Sequence, residues 1–377
     1  MHSSLRSFNF WRVILINLLV SVFVYMLMPL WPAMLEAKDD VVFHQSGWTM
    51  MLFCVGLFLP GPVSSYLLDR YRRKDVCMLS IGILVAVSLL ATLDMPVWLV
   101  AFWRLMQGSA FALFHISLGS TILIDITISE RRDVAAYIYF WTCKFALAVG
   151  PALGLMALYP SLWQYFKYVP IGCAVLAVLI IFSLKLPFRT PLRTNVLSMD
   201  RFWLLDSMPL VVLQFFVVMT LGVEMAINQN PLFYLHLLFG LAISLVLHFV
   251  VFSRADIRAE IITGLIALLA SFLLLLTQDE EQMVIVASVL SGYGIGNVTG
   301  RLLSFFTVSS KHTERGSAQM TYKLTFESAL CIGFFLPCVL RDIENSVFYM
   351  AGIALLVLCI AFYLLIVNTW FLQHVKR

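Results

Sequence analysis

Apolar segments long enough to cross a membrane recur twelve times along the 377 residues, at 11–35, 47–68, 76–93, 97–126, 134–158, 166–186, 207–227, 231–252, 259–277, 283–308, 318–338 and 347–370. A helix of ~20 apolar residues crosses the ~30 Å hydrocarbon layer. It also satisfies its own backbone groups where no water can reach them. The chain is 61% hydrophobic and 12% charged, against ~25% charged for a soluble domain. The expected fold is all-α and membrane-embedded, with twelve transmembrane helices, and the lipid bilayer is its first partner.

Charge sets the expected orientation. With both termini in the cytoplasm, eighteen of the 25 Lys and Arg residues fall in cytoplasmic segments, including the run Arg70, Arg72, Arg73 and Lys74 and the linker residues Arg189 and Arg193. Lys38, Lys167 and Arg341 fall outside, and Arg104, Lys144, Arg301 and Lys323 remain within the spans. This bias follows the positive-inside rule. The net charge of +4 is thus a topology signal and gives a nucleic-acid partner no support. The first apolar segment follows Arg6 and Arg12 as a signal peptide would, yet it is too long and lacks a small-x-small cleavage site, so it reads as an uncleaved helix. All seven cysteines fall in spans without a Cys-x-x-Cys pair. They read as packing residues, and no disulfide, metal or cofactor is expected.

One loop stands apart. The stretch from Pro187 to Arg201 carries two prolines and three arginines, and it divides the chain into a six-helix bundle at 1–187, a cytoplasmic linker at 188–202 and a second six-helix bundle at 203–377. The halves echo one another weakly: Ser129-Glu130-Arg131 precedes span 5, and Thr313-Glu314-Arg315 precedes span 11, 184 residues later. Duplicated six-helix halves form a transporter architecture with the site near the midplane.

Three segments carry more chemistry than packing needs. Between spans 2 and 3, Ser65-Tyr66-Leu67-Leu68-Asp69-Arg70-Tyr71-Arg72-Arg73-Lys74 embeds an acid in a basic loop. Within span 4, Arg104-Leu105-Met106-Gln107-Gly108 places a guanidinium in an apolar run. A central arginine costs about 3 kcal/mol on insertion scales, so it faces protein or a wet cavity. At 100° per residue, Arg104, Gly108, Phe111 and His115 lie within about 60° of one another, with Gln107 at their flank. Span 5 contains Gly150-Pro151-Ala152-Leu153-Gly154, in which proline bends the helix and small residues four apart admit a neighbour.

These segments resemble signatures of the major facilitator superfamily, and the resemblance covers essentially the whole chain. The loop is similar to G-x-L-[AG]-D-R-x-G-R-K, with Ser65 and Arg72 replacing two glycines. Arg104-x-x-Gln107-Gly108 is similar to the fourth-helix motif of proton-coupled members. The span 5 segment resembles the antiporter motif G-x-x-x-G-P-x-x-G-G, with Ala146 and Leu155 replacing its first and last glycines.

The resemblance implies two pseudo-symmetric bundles working by alternating access. Spans 1, 4, 7 and 10 line the cavity in that family. On that basis Asn17, Tyr25, Arg104, Gln107, His115, Lys144, Tyr293 and Asn297 are expected around substrate. Glu327, Lys323 and Glu224 are expected in proton coupling. Asp69, Arg70, Arg73, Asp125, Gly150, Pro151 and Gly154 are expected in gating, with Arg73 paired to Asp125. Bland readings stand beside several of these. His115 fits a hydrogen-bonded core histidine as well as a proton relay. Lys323 and Glu327, four apart, fit a self-neutralising pair as well as a coupling pair. Glu224 fits an interfacial residue before the turn Asn228-Gln229-Asn230-Pro231. Gly292, Gly296 and Gly300 read as a packing face, and Arg301 as a residue extending to the cytoplasm.

The expected function is secondary active transport of a small organic solute, as proton-coupled efflux by a monomer in the plasma membrane, the bacterial inner membrane in particular. Arg104, Lys144 and Lys323 against Glu327 make a basic cavity suited to an anionic or amphoteric solute. The alternative is a proton symporter importing a sugar, nucleoside or similar metabolite. A membrane-embedded transferase is the remote rival, since paired carboxylates, a His/Asp cluster and a metal-ligand run are all missing from the membrane surfaces. A nucleotide-driven pump would need a Gly-rich loop ending in Gly-Lys-Ser/Thr, which the sequence lacks.

Overall fold

The computed structural model describes residues 5, 7–36, 44–91, 96–159, 161–162, 168–184, 196–198, 202–252, 256–277, 281–311 and 313–375. Every regular element among them is helical. The order is α1 Phe8–Glu36, α2 His44–Phe58, α3 Gly61–Arg70, α4 Arg73–Ala91 and α5 Val97–Ser117, which continues through a π-helical turn, Leu118–Ile122, into α6 Leu123–Ile126. Then come α7 Arg132–Ala157, α8 Val169–Phe182, α9 Met208–Ile227, α10 Pro231–Leu247, α11 Ile257–Thr277, α12 Glu281–Ser309, α13 Arg315–Val339, α14 Asn345–Phe362 and α15 Asn368–Val375.

Among the described residues nine helical stretches are long and apolar enough to cross a membrane, and a tenth arises if the bent pair α2 and α3 counts as one. That pair turns by 50° at Pro60, which has no N–H to donate to the ladder. Each of the twelve expected segments overlaps helical residues, the second falling on both α2 and α3 and the third and sixth on α4 and α8, which are not among the nine. Tyr71, after α3, is extended at φ −103° and ψ 165°, and no described residue has positive φ. The loop therefore turns without a left-handed residue, which is why Arg72 is tolerated where the family has glycine.

Two compact units divide the chain, Met1–Leu205 with Ser310–Leu324 and Asp206–Ser309 with Thr325–Arg377. The expected linker at 188–202 lies largely outside the described residues. In the first unit α1 packs along α7 and α8, and α2 and α4 pack on α5. In the second, α10 and α11 pack on α12.

Both units contain the same close helix crossing. A Cβ on Gly56 of α2 would overlap the Leu105 carbonyl oxygen, and one on Gly108 of α5 would overlap that of Phe53. A Cβ on Gly240 of α10 would overlap the Val289 carbonyl oxygen, and one on Gly292 of α12 that of Leu237. All four pairs of equivalent residues are 184 positions apart, the same offset as the Ser-Glu-Arg and Thr-Glu-Arg echo. Helices in lipid associate through such close backbone approach, since lipid tails are as apolar as leucine.

Gly56→Val and Gly240→Val should therefore each lower folded yield and melting temperature, since overpacking costs about 1–3 kcal/mol. Gly82→Val, where an added Cβ meets nothing within 4 Å, should leave both unchanged. Fluorescence-detected gel filtration and a thermal ramp on the three variants check the contrast.

Candidate functional site

Arg104 is 2% exposed. Its Nε donates to the Thr49 carbonyl oxygen at 3.1 Å and its Nη2 to Met50 Sδ at 3.0 Å, both on α2, while Nη1 donates to Gln107 Oε1. Its guanidinium also lies 5.1 Å from the Phe53 ring centroid. Gln107 thus orients Arg104 from one turn away on the same helix, and its own Nε2 has no hydrogen-bond partner among the described residues. Hydrogen bonds and a ring face replace the water that a buried guanidinium loses.

Further along α5 the same stripe meets α1, α7 and the first turns of α13, all within the first unit. Lys323 Nζ donates to Tyr25 Oη at 3.1 Å and lies 5.4 Å from the Phe111 ring centroid. Phe111 stands edge-on to His115 at 4.5 Å. His115 Nδ1 is 2.8 Å from Tyr139 Oη, and its Nε2 has no hydrogen-bond partner among the described residues. The structure thereby brings Tyr25, His115 and Lys323 together and adds Tyr139, which the sequence reading missed. Asn17 serves packing: its Nδ2 donates to the Tyr139 carbonyl oxygen at 2.8 Å and to Thr142 Oγ1 at 3.1 Å, binding α1 to α7.

Lys144 is buried beside the Trp141 ring, 4.4 Å from its centroid. One and a half turns on, a Cβ on Gly150 would come within 2.8 Å of the Val22 carbonyl oxygen, and one on Gly154 would overlap that of Met26. With Pro151 between them inside the helix, these glycines let α7 lie against the backbone of α1. At the other end of the unit Asp69 is buried, Arg70 is exposed, and Arg73 Nη1 forms an ion pair with Asp125 Oδ2.

The second unit holds its own polar groups. Glu224 is fully buried. Ser271 Oγ donates to its Oε1 at 2.9 Å, and Ser291 Oγ donates to Ser271 Oγ at 2.7 Å, so a hydroxyl chain from α12 through α11 ends on the carboxyl of α9. Ser244 Oγ donates to Asn297 Oδ1 at 2.6 Å, joining α10 to α12, and Tyr293 is half-buried. Arg301 does not simply extend to the cytoplasm: its Nε lies 2.7 Å from Oε2 of the buried Glu260, a charge contact without hydrogen-bond alignment. His248 Nδ1 lies 2.7 Å from Glu260 Oε1. Glu327 is buried on α13, four residues past Lys323.

Buried charge is sorted by unit. Among the described residues the first unit buries Arg104, Lys144 and Lys323 with one acid, Asp69, whereas the second buries Glu224, Glu260 and Glu327. No group of three or more His, Cys, Asp or Glu residues that could hold a metal occurs among the described residues.

The model of the Major Facilitator Superfamily matches residues 13–334 of this chain. The uncharacterized MFS-type transporter YtbD of Bacillus subtilis (strain 168) is 24% identical over 183 residues, 48% of this chain and 45% of that protein. Protein spinster homolog 1 of Xenopus laevis is 27% identical over 186 residues, 47% of this chain and 35% of that protein. The matched stretches thus span less than half the length of either relative. The human organic anion transporter MFSD10 (TETRAN) superposes with a TM-score of 0.68 at 17% identity, over 94% of this chain and 98% of that one. The nucleoside transporter NupG gives 0.67 at 12%, over 95% and 100%. At these identities the likeness to the solved structures is one of fold.

Tyr139→Phe should lower the melting temperature of the purified protein, because it leaves both nitrogens of His115 without a partner among the described residues; a buried unpaired polar atom costs ~1–3 kcal/mol. A thermal ramp checks it, and an unchanged transition would mean that the tyrosine hydroxyl does not hold the histidine.

Proposed function

Because the chain belongs to the major facilitator superfamily, we propose that this multi-pass membrane protein is a secondary active transporter that exports a small anionic or amphoteric organic solute in exchange for protons. In this reading twelve helices cross the plasma membrane, a bacterial inner membrane, with both termini in the cytoplasm, and two six-helix halves alternate access around the site. The observation that carries it is the burial of Arg104, Lys144 and Lys323 in one unit. Cations kept in an apolar environment are a strong attraction for a negatively charged solute, since charge interactions gain strength as the local dielectric falls. That solute class agrees with the likeness in fold to MFSD10, an organic anion transporter. The export direction is supported by the fit of Gly150 and Gly154 against α1, in the segment that resembles the antiporter motif.

Glu327 is the proposed proton carrier. It is buried and lies four residues from Lys323 on the same helix, a spacing that sets two side chains on one helix face. Glu224, with its serine chain, is the second proposed carrier. The alternative is import by symport, in which a proton and the solute are taken up together.

Everted membrane vesicles with an acidic lumen decide between the two. Solutes are first chosen by thermal stabilisation of the purified protein, since a ligand raises the melting point by mass action. Export predicts accumulation of solute in the lumen, and import predicts its loss from preloaded vesicles. Glu327→Gln should abolish the proton-driven movement in either case while leaving solute exchange intact. Retained uphill movement would pass the role to Glu224. For orientation, single cysteines on a Cys-free chain should be labelled from outside at Asn230 and protected at Leu197; the reverse would overturn the topology.

A further inference from the structure

Beyond His115, α5 loosens into the π-helical turn Leu118–Ile122, a form found mostly as short bulges and frequently at functional sites. Ser120 in that turn lines a cavity of about 210 Å³ together with Arg73, Asp125, Arg132, Arg315 and Gln319, all in the first unit. The space is far larger than the ~10–15 Å³ that one water needs. It is smaller than the ~300–1,000 Å³ of pockets for drug-sized ligands, and so has the scale of an ion or a small headgroup.

Its charge is unbalanced. Three guanidinium groups line the cavity against a single carboxylate. Asp125 is engaged by Arg73, and Arg315 Nη1 lies 3.4 Å from Asp133. Arg132 has no side-chain hydrogen bond or ion pair among the described residues. The Nε atoms of Arg73, Arg132 and Arg315 are all buried without a hydrogen-bond partner among those residues. A buried, unpaired N–H of a charged group is costly to leave unmade. Gly316 adds access, since it presents no side chain toward the Ser120 carbonyl oxygen; an added Cβ would stand 3.3 Å from it.

We propose that this cavity is a binding site for a phosphate-type oxyanion, held by Arg132 and Arg315 with Arg73 and with the polar groups of Ser120 and Gln319 in its wall. Guanidinium groups match phosphate oxygens in geometry and charge. With Asp125 on Arg73 and Asp133 on Arg315, one of the three positive charges remains uncompensated, so the cavity favours an anion and offsets part of the charge of a phosphate group. Bound there, the anion joins the start of α4, the start of α7 and the first turn of α13, whose arginines otherwise repel one another. The site is independent of the direction of transport and of the buried cations deeper in the unit.

The same chemistry is available from phosphate in solution or from a lipid phosphomonoester headgroup, and the test separates them. The purified full chain in detergent is titrated with inorganic phosphate, with sodium chloride at matched ionic strength as control, and in parallel with short-chain phosphatidic acid against phosphatidylglycerol. We expect a saturable rise in melting temperature beyond the control, with an apparent affinity at least tenfold weaker in Arg132→Gln, a variant that breaks no ion pair among the described residues. Arg315→Gln is the second variant, and should weaken binding likewise if Arg132→Gln proves unstable. A response to phosphate assigns the solution anion, and a response to phosphatidic acid alone assigns the headgroup. No rise beyond the controls with either probe, or a rise that persists undiminished in the folded variants, would overturn the site.

Discussion

A polar side chain inside hydrocarbon has no water to bind, so each one that this chain buries needs a partner in the protein; several serines and threonines find it on the preceding turn of their own helix, and those that find it on another helix fix where the helices lie. Arg104 binds α5 to the backbone of α2 at Thr49, and Asn17 binds α1 to the backbone of α7 at Tyr139. In the second unit Ser271 and Ser291 join α11 and α12 to Glu224 on α9, and Ser244 joins α10 to α12 at Asn297. Lipid tails supply no hydrophobic force between helices, and interhelical hydrogen bonds take over part of that role. The same bonds that specify the packing also determine which polar atoms are left available, among them His115 Nε2 and Gln107 Nε2.

Close packing makes these bonds possible. Where Gly56 meets Leu105 and Gly108 meets Phe53, the two backbones approach with no side chain between them. Ser109 Oγ, beside this crossing, reaches the Gly56 carbonyl oxygen at 3.0 Å. A larger residue at either glycine would separate the helices and lengthen the neighbouring polar contacts with them. The crossing of Gly240 and Gly292 repeats the arrangement in the second unit. Glycine and polar residue therefore work as one device, and disturbing the first should disturb the second.

Composition and apolar runs made the helices legible, because the length of a span is imposed by the bilayer and not by details of packing. Arg104 was legible for the same reason: a lone guanidinium in an apolar run stands out. Tyr139 was not, since a tyrosine in a membrane helix carries no signal until His115 is known to face it. Glu260 was hidden by its place just after the charged loop Arg254-Ala255-Asp256-Ile257-Arg258, where one more acid reads as solvated. Arg132 and Arg315 were not legible as a pair, since nothing in their spacing of 183 residues hints that they share a cavity. The glycine crossings were available in principle, had the 184-residue echo been followed into the spans.

That echo also exposes an asymmetry in the chemistry. Shifting by 184 positions carries Tyr139 onto Lys323 and Cys143 onto Glu327. In the first half the two positions serve neutral contacts: Tyr139 holds His115, and Cys143 Sγ lies 3.3 Å from Asn17 Nδ2. In the second half the same two positions carry an ammonium and a carboxyl. A duplicated scaffold needs its glycine crossings in both copies, because each half must pack by itself. Under the proposed mechanism it needs a titratable pair in only one, because two such pairs would each demand a proton per cycle and would double the desolvation to be offset. Placing Lys323 and Glu327 at positions that are neutral in the other half is therefore what a one-proton coupling scheme would select. Tyr139→Lys with Cys143→Glu would test the idea directly: the variant should either fail to fold or show a steeper dependence of transport on the proton gradient than the parent.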